Sequence, residues 1–244
     1  MRLLSVCLVA LALAGCAQSH VTGLTIGYSG AVPRPKTIVV SDFVFSSDVV
    51  ALDRGFTARL SRKLGELPPD QRKQRTAERV NDEIVAAIVS TLREAGLEAQ
   101  AGSEEGLSLS DDAVIVSGRL RAIDEGNSTQ RHLIGFGAGR SGVVADMALT
   151  HVGNGAKKEL LSFTAEAESR RRPGAIVTAP ISAATSVAVS AASAVGGVAA
   201  EKLSADVQAQ ARSLGHAAGE RIVAYAKERG WLAPASPPAD KPQS

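Results

Sequence analysis

Residues 143–168, VVADMALTHVGNGAKKELLSFTAEAE, decide the fold class of this chain. Apolar and polar residues alternate from Val143 to Thr150 and again from Leu161 to Glu168, and Gly153-Asn154-Gly155 separates the two runs. Alternation with a period of two places one face of a strand in a core and the other in solvent, and a Gly-Asn-Gly sequence is typical of a hairpin loop. The stretch therefore predicts two antiparallel strands that are packed on one face.

Further strands and helices are predicted on both sides of this hairpin. β-branched or alternating runs indicate strands, and apolar residues at spacings of three and four indicate amphipathic helices. Glycines follow both helices and predict their ends, Gly96 and Gly230, while Gly215 and Gly219 would permit close packing of the second helix. The predicted strands are Thr37–Phe43, Leu97–Gln100 and Val114–Ala122, and the predicted helices are Thr76–Ala95 and Ala205–Arg229. The order β-α-β-β-β-β-α predicts an α+β fold, in which two helices pack on a mostly antiparallel sheet of about four to five strands.

Residues 1–15 have the layout of a secretory signal peptide. Arg2 supplies a positive charge, Leu3–Leu13 is a short apolar stretch, and the small residues Ala14 and Gly15 precede Cys16. The tetrapeptide Leu13-Ala14-Gly15-Cys16 resembles the lipobox that is recognised by lipoprotein signal peptidase. We therefore expect cleavage before Cys16 and attachment of acyl chains such as palmitate to this cysteine, which would anchor the mature protein in a membrane.

The rest of the chain divides into a tether, one domain and a tail. Residues 16–35 are small, polar and Gly/Pro-bearing, and we interpret them as the lipidated cysteine followed by a flexible tether. Residues 36–232 hold the predicted α+β domain, and residues 233–244 form a Pro/Ser/Ala-rich tail that we expect to be disordered. Because Cys7 leaves with the signal peptide and Cys16 carries lipid, we expect no disulfide bond.

Residues 175–200, before the last helix, contain no charged side chain and consist largely of Ala, Val, Ser, Gly and Thr. As a helix, this insertion would place small residues on one face, at the spacing used for close helix packing in membranes. These residues are Ser182, Ser186, Ser190 and Gly197. As a strand, it would alternate between valines and serines instead. Three interpretations remain open: packing on the domain, self-association, and insertion into a bilayer.

Composition and motifs argue against several classes of function. A formal net charge of +2 and an aromatic content of 3% are untypical of proteins that bind nucleic acid. Gly137–Gly142 matches G-x-G-x-x-G, but a strand rather than a helix follows it, so we expect no dinucleotide cofactor. The four histidines lack the spacing of metal ligands, and no G-x-S-x-G motif occurs. We therefore expect no metal site, no cofactor and no enzymatic activity.

One run resembles a family of bacterial lipoproteins known only as a domain of unknown function. It contains the pattern I-D-x-G-N … R … G-F-G-A-G-x-S, which extends from Gly118 and Ile123 to Ser141. The signature residues, which we interpret as structural, are Gly126, Asn127, Arg131, Gly135, Phe136, Gly137, Gly139 and Ser141. The resemblance implies an envelope lipoprotein without known enzymatic activity. More distantly, the order of elements is similar to the periplasmic domain shared by the curli secretion lipoprotein and the lipoprotein activators of penicillin-binding proteins.

These observations lead to one functional hypothesis and one alternative. The first is a lipid-anchored protein on the periplasmic face of the outer membrane, where it would contact an unidentified envelope protein in assembly, secretion or maintenance. Ala17, in place of Asp after the lipidated cysteine, resembles outer-membrane sorting. The alternative is an oligomeric component of a secretion channel that inserts residues 175–200, so a second copy of the chain is a further candidate partner.

Overall fold

The computed structural model describes residues 18–53, 68–106, 112–126, 141–153, 155–169 and 205–232. Within these ranges the chain forms seven strands and two α-helices, together with two short 3-10 turns at Ser47–Val49 and Glu104–Gly106. The strands are β1 (Gln18–Ile26), β2 (Thr37–Val40), β3 (Val50–Ala51), β4 (Ala99–Ala101), β5 (Ala113–Asp124), β6 (Gly142–Gly153) and β7 (Ala156–Glu168). The helices are α1 (Pro69–Glu94) and α2 (Ala205–Glu228).

All seven strands belong to one mixed sheet, whose order is β1-β7-β6-β5-β2-β4, with β3 beside the last part of β5. The four long strands β1, β7, β6 and β5 pair antiparallel, whereas the short strands β2, β3 and β4 pair parallel. The predicted hairpin joins β6 to β7, and its last pair is Gly153 with Ala156. The predicted fold class is therefore confirmed, although the described sheet has more strands than expected.

Both helices cover the same face of the sheet and run parallel to each other. Side chains of α1 contact residues of α2 in the order in which they occur along both helices, from Glu83 with Arg212 to Thr91 with His216. A Cβ atom on Gly215 would lie 2.6 Å from the Cβ of Ala87, so the two backbones approach too closely for any larger residue. The predicted close approach is confirmed, and it explains the glycine in a helix interior, where alanine is otherwise favoured.

The two helices end in the same way. Gly96 has a φ of 83°, its N–H donates to Arg93, and the next N–H, of Leu97, reaches back to Leu92. Gly230 has a φ of 70° and repeats this pattern, and the indole of Trp231 is buried after it. This is the Schellman motif, in which a left-handed glycine lets the last carbonyls of a helix find donors. Both predicted helix ends are confirmed.

The predicted start of α1 was wrong by about two turns. The helix begins at Pro69 rather than Thr76, and the carbonyl of Pro68 accepts a hydrogen bond from the N–H of Arg72 at 3.2 Å. The residue pair Pro68-Pro69 explains this earlier start. Proline is favoured at the first helical position because its missing N–H would have no partner there, so the pair marks the start of a helix.

The prediction of a flexible tether over residues 16–35 was wrong for the described part, residues 18–35. Residues 18–26 form β1, which pairs with β7 along its length, with a bulge at Gly23 where φ is 62°. The following segment is also fixed, since Arg229 donates to the carbonyl of Gly30 at 2.6 Å and Trp231 donates to that of Val32 at 3.2 Å. The glycine and the polar residues interrupt the alternation that would identify a strand. The partner of this strand, β7, is also far away in sequence.

Several predictions concern residues outside the described ranges. These are the signal peptide, Cys16, the charge-free insertion at residues 175–200 and the tail at 233–244. Within the described part of the chain, neither helix combines the length and the apolar character needed to cross a membrane.

Candidate functional site

At one end of the sheet, two of the long strands begin and the other two end. Gln18, which starts β1, pairs with Glu168, which ends β7; Glu168 also pairs with Gly142, and Gly142 pairs with Asp124, which ends β5. Neighbouring strands lie about 4.8 Å apart, so this row is about 14 Å wide. We call this end of the sheet the loop end, and the opposite end, where Gly153 and Ala156 close the β6–β7 hairpin, the hairpin end.

Both helices also begin at the loop end. Gln210, in the second turn of α2, contacts Ser141, which directly precedes β6, whereas Arg229 at the other end of α2 contacts the segment that follows β1. Because α1 is parallel to α2, Pro69 lies at the loop end too. The end of β3 lies there as well, since Ala51 pairs with Asp124. The described fold therefore joins residues 1–17, 54–67, 127–140 and 170–204 at this single end.

Ser141 connects three of the elements at the loop end. Its side chain is 1% exposed, and its hydroxyl donates to Oε1 of Gln210, itself a buried residue, at 3.2 Å. The N–H of Ser141 donates to Oγ of Ser169 at 3.2 Å, and the N–H of Ser169 donates back to the carbonyl of Ser141 at 3.0 Å. These bonds fix the end of the Gly-rich run, the residue before Arg170 and the start of α2 relative to one another.

The beginning of the signature, at Asp124 to Gly126, is fixed by a second set of bonds. The carboxylate of Asp124 accepts a hydrogen bond from the N–H of Gly126 at 2.7 Å, and Gly126 has a φ of 74°. The Glu125 N–H donates to Ala51 at 2.9 Å, and its carboxylate accepts from the N–H of Asp53 at 2.9 Å. Aspartate commonly holds a turn in this way, and glycine adopts positive φ without strain. Asp124 and Gly126 of the signature thus hold the chain as it leaves the sheet.

The sequence singled out eight signature residues, of which the structure describes two. Gly126 and Ser141 lie at the loop end, on the two sides of the Gly-rich run, and both make contacts that position the backbone. The other six lie outside the described residues, as do Leu13, Ala14, Gly15, Cys16, Ser182, Ser186, Ser190 and Gly197.

Gln210 and Ser169, the partners of Ser141, were not predicted from the sequence. Gln210 shares the spacing of the apolar stripe of α2, because it lies three residues after Val207 and four before Leu214. A polar side chain at such a position is buried and needs a hydrogen-bond partner. That signal was present in the sequence, but its partner was not predictable, since the pairing depends on how α2 lies across the sheet.

The sheet face opposite the helices carries a polar network. Arg121 donates to Asp146 at 2.7 Å, Thr164 donates to the same carboxylate at 2.8 Å, and His20 lies 2.8 Å from Glu166. Partial burial raises the pKa of Asp146, but the hydrogen bonds from Thr164 and Arg121, together with the positive charges of Arg121 and Arg119, outweigh burial and hold this pKa below its ordinary value. The Asp146 carboxylate is therefore ionised at neutral pH and pairs with Arg121.

A buried histidine lies near the hairpin end. His151 is 3% exposed, and its Nε2 lies 3.9 Å from the nearest carboxylate oxygen of Asp112, too far for a hydrogen bond. Burial lowers the pKa of His151; the charge of Asp112 raises it and that of Lys158 lowers it further. The imidazole is therefore neutral at pH 7. Across the described ranges, no three His, Cys, Asp or Glu side chains are placed to hold a metal ion together.

Comparison with known proteins gives a family match and similarities to solved structures. A comparison with curated proteins finds no match for this chain. Among solved structures, the PelC dodecamer from Paraburkholderia phytofirmans is 16% identical with a TM-score of 0.37, and the similarity covers 82% of this chain and 93% of that one. A point variant of that PelC is 15% identical with a TM-score of 0.37, over 80% of this chain and 94% of the other. The family described as Domain of unknown function (DUF4410) matches residues 38–186, from β2 past the Gly-rich signature, and the chain belongs to this family.

Proposed function

We propose that this protein is a lipid-anchored envelope protein on the periplasmic face of the outer membrane, which acts through contacts with other envelope proteins. One observation carries the proposal. Gln18, two residues after Cys16, is already the first residue of a strand that is paired with β7. A chain extends by at most about 3.6 Å per residue, so an acylated Cys16 would lie within about 7 Å of the sheet.

A short connection of this kind would hold the whole molecule in one orientation. The loop end would lie at the level of the lipid headgroups, and the hairpin end would lie about 40 Å away, because β6 is twelve residues long and a strand rises about 3.4 Å per residue. A flexible tether over residues 17–35 would impose no such orientation. The proposal therefore makes the loop end the membrane side and the hairpin end the side available to partners.

The proposal assigns no catalytic residue. Ser141 and Gln210 are the buried polar pair of the loop end, and they bond each other and the backbone, so their role is to position chain segments. The charged groups of the open sheet face likewise pair with one another, as Arg121 does with Asp146. Polar groups that already bond to other groups of the same chain fit a protein that acts by binding rather than by catalysis.

Replacement of the two cysteines tests the anchor. We expect Cys16→Ser to abolish metabolic labelling with palmitate and to release the protein from the membrane fraction, since no acyl chain can attach. Cys7→Ser is the matched control, because Cys7 belongs to the signal peptide and its loss should change neither result. A Cys16→Ser protein that is still labelled and still sediments with membranes would contradict the proposal.

The second candidate function is membrane insertion of residues 175–200, as part of an oligomeric channel. The observation that favours it is the position of the insertion, which leaves the fold after Ser169 and returns at Ala205, both at the loop end. Arg170-Arg171-Arg172 precedes it, and each basic residue near an anionic lipid surface contributes about 1 kcal/mol. A channel predicts dye leakage from liposomes that is lost when residues 175–200 are deleted, whereas a contact protein predicts no leakage from either form.

A further inference from the structure

The ends of three strands meet around His151 near the hairpin end. His151 lies in the last part of β6, where it pairs with Val114 of β5 and with Lys158 of β7. Val114 belongs to the core beneath the helices, and directly opposite residues share a face, so the imidazole of His151 points to the helix side of the sheet. Asp112 directly precedes β5, and its carbonyl accepts a hydrogen bond at 2.9 Å from the N–H of Lys36, whose side chain is exposed. Asp112 therefore connects the start of β5 to the start of β2.

The backbone brings the carboxylate of Asp112 to this imidazole. Of the non-glycine residues that the structure describes, Asp112 alone has a positive φ, at 48°. Aspartate adopts this left-handed region more readily than most residues. A Cβ atom on Gly153 would lie 2.6 Å from Oδ1 of Asp112 and 2.7 Å from Cε1 of His151. The carboxylate and the imidazole therefore share the space that a side chain at position 153 would fill.

Two buried polar atoms face each other here without a bond between them. Nε2 of His151 and Oδ1 of Asp112 are both buried, and neither has a hydrogen-bond partner within the part of the chain that the structure describes. They lie 3.9 Å apart. A carboxylate oxygen only accepts hydrogen bonds, so this distance fits a neutral imidazole whose Nε2 carries no hydrogen. A proton on Nε2 would let the two atoms approach by about 1 Å, to the length of about 2.8 Å that is typical of a charge-assisted hydrogen bond.

Charged groups of both signs act on this imidazole. The Asp112 carboxylate favours its protonated form, and the ammonium of Lys158 on β7 disfavours that form. Two further charged side chains near the hairpin end are bound elsewhere, since Arg229 of α2 donates to backbone carbonyls after β1 and Lys157 of β7 pairs with Glu104. Burial outweighs the attraction of the carboxylate and lowers the pKa of the imidazole. Protonation therefore requires acidic conditions.

We propose that His151 and Asp112 form a proton-dependent contact between β6 and β5. When the imidazole takes up a proton from solvent, the N–H at Nε2 donates a hydrogen bond to Oδ1 of Asp112, and the start of β5 is fixed against the end of β6. The proton stays on the nitrogen, so an imidazolium faces a carboxylate. Because the carbonyl of Asp112 also holds the N–H of Lys36, the contact stabilises the start of β2 as well. The inference is independent of acylation at Cys16 and of any partner.

Imidazole NMR of the full chain with isotope-labelled histidine tests the proposal between about pH 7.5 and about pH 5. We expect a His151 Nε2–H signal to appear as the pH falls, and to exchange with water at least about tenfold more slowly than in Asp112→Gly. Glycine suits the positive φ of residue 112, so this variant removes the acceptor without straining the backbone. The variant His151→Gln assigns the signal. Glu104→Gln, which removes another carboxylate near the hairpin end, is the matched control and should keep the slow exchange.

A second variant keeps both titratable groups and removes the space in which they meet. Gly153→Ala places a Cβ atom against the carboxylate and the imidazole, so we expect it to abolish the slow exchange as Asp112→Gly does. The Lys36 amide gives an independent measurement. Its protection against exchange, corrected for the intrinsic rate, should rise about tenfold over the same fall in pH in the parent chain, but not in Asp112→Gly. The amides of β5 and β7 report whether each variant is folded.

Two results would overturn the proposal. A slowly exchanging His151 Nε2–H signal in Asp112→Gly would mean that another group accepts the hydrogen bond. Protonation of His151 in the parent chain without a slowly exchanging Nε2–H signal, and with unchanged protection of the Lys36 amide, would mean that the two side chains stay apart.

Discussion

Ser141 shows at the level of one hydroxyl how the loop end is held together. Its Oγ and the Gln210 amide satisfy each other in a site that water does not reach, and the signature serine is thereby tied to a helix about seventy residues later in the chain. A buried polar pair of this kind adds little net stability when both partners are present. The pair is important because the removal of one partner would leave the other as a buried polar group without a hydrogen bond.

We therefore expect Ser141→Ala to lower the free energy of unfolding by about 1–3 kcal/mol, because the buried Gln210 oxygen loses its donor. Urea unfolding followed by circular dichroism measures this change. The double variant Ser141→Ala with Gln210→Met should recover part of the loss, since neither polar group then remains. Equal stability of the single variant and the parent chain would show that the pair is not formed.

His151 makes stability depend on pH. Burial holds its folded-state pKa below 6.5, while the unfolded chain keeps a value near 6.5, so the unfolded state binds the proton first as the pH falls. The contribution of His151 to the free energy of unfolding is therefore fully present above about pH 6.5. It declines below that pH, with a limiting slope of about 1.4 kcal/mol per pH unit. We expect His151→Gln to reduce the decline between pH 7.5 and 5.5 in urea titrations. Asp112→Asn should extend the decline in stability to lower pH, because the charge of Asp112 raises this pKa. A larger decline in His151→Gln than in Asp112→Asn would contradict the assignment.

Among the secondary-structure elements, the sequence predicted best those whose signals are local. The two helix ends were predictable because Gly96 and Gly230 each lie between a helical pattern and an apolar residue. β6 and β7 were predictable because both alternate and a hairpin loop joins them. β1 was not, since its partner lies about 140 residues away, and Gly23 interrupts its alternation with a bulge. The same reason limits the candidate site, where the signature was visible but its partners on α2 were not.

The contact between the helices gives a prediction about α2. Alanine is usually favoured over glycine in a helix by about 1 kcal/mol. A Cβ on Gly215, however, would lie 2.7 Å from the carbonyl oxygen of Ile84, which is part of the α1 backbone and cannot turn aside. We therefore expect Gly215→Ala to destabilise the fold by about 1–3 kcal/mol, as measured by thermal and urea unfolding.

Gly219→Ala tests the same helix contact one turn later. Its added Cβ would lie 2.6 Å from the Cβ of Thr91, which is fixed to the α1 backbone and cannot rotate away. We expect a loss similar to that of Gly215→Ala. A gain in stability for Gly215→Ala would indicate that the helices are farther apart than the structure has them.

The proposed acylation of Cys16, together with the arrangement of the described fold, predicts a fixed direction of the domain relative to the membrane. A fluorescent label on Ser169→Cys, at the loop end, should be quenched by bromolipids in liposomes that carry the acylated protein. The same label on Lys157→Cys, at the hairpin end, should not be quenched, since about 40 Å separate the two ends. Similar quenching at both sites would mean that the domain has no preferred orientation, and the Cys16→Ser protein provides the unattached reference.

The described chain enters the fold at Gln18, at one end of the sheet, and leaves it after Trp231, at the other. α2 alone covers about 36 Å between these ends, at 1.5 Å per residue. Joining Leu232 to Gln18 in a circular permutant of the described fold would therefore require a linker of at least about eleven extended residues. A reporter domain fused directly behind Leu232 would, by the same geometry, lie at the hairpin end, on the side of the molecule away from Gln18.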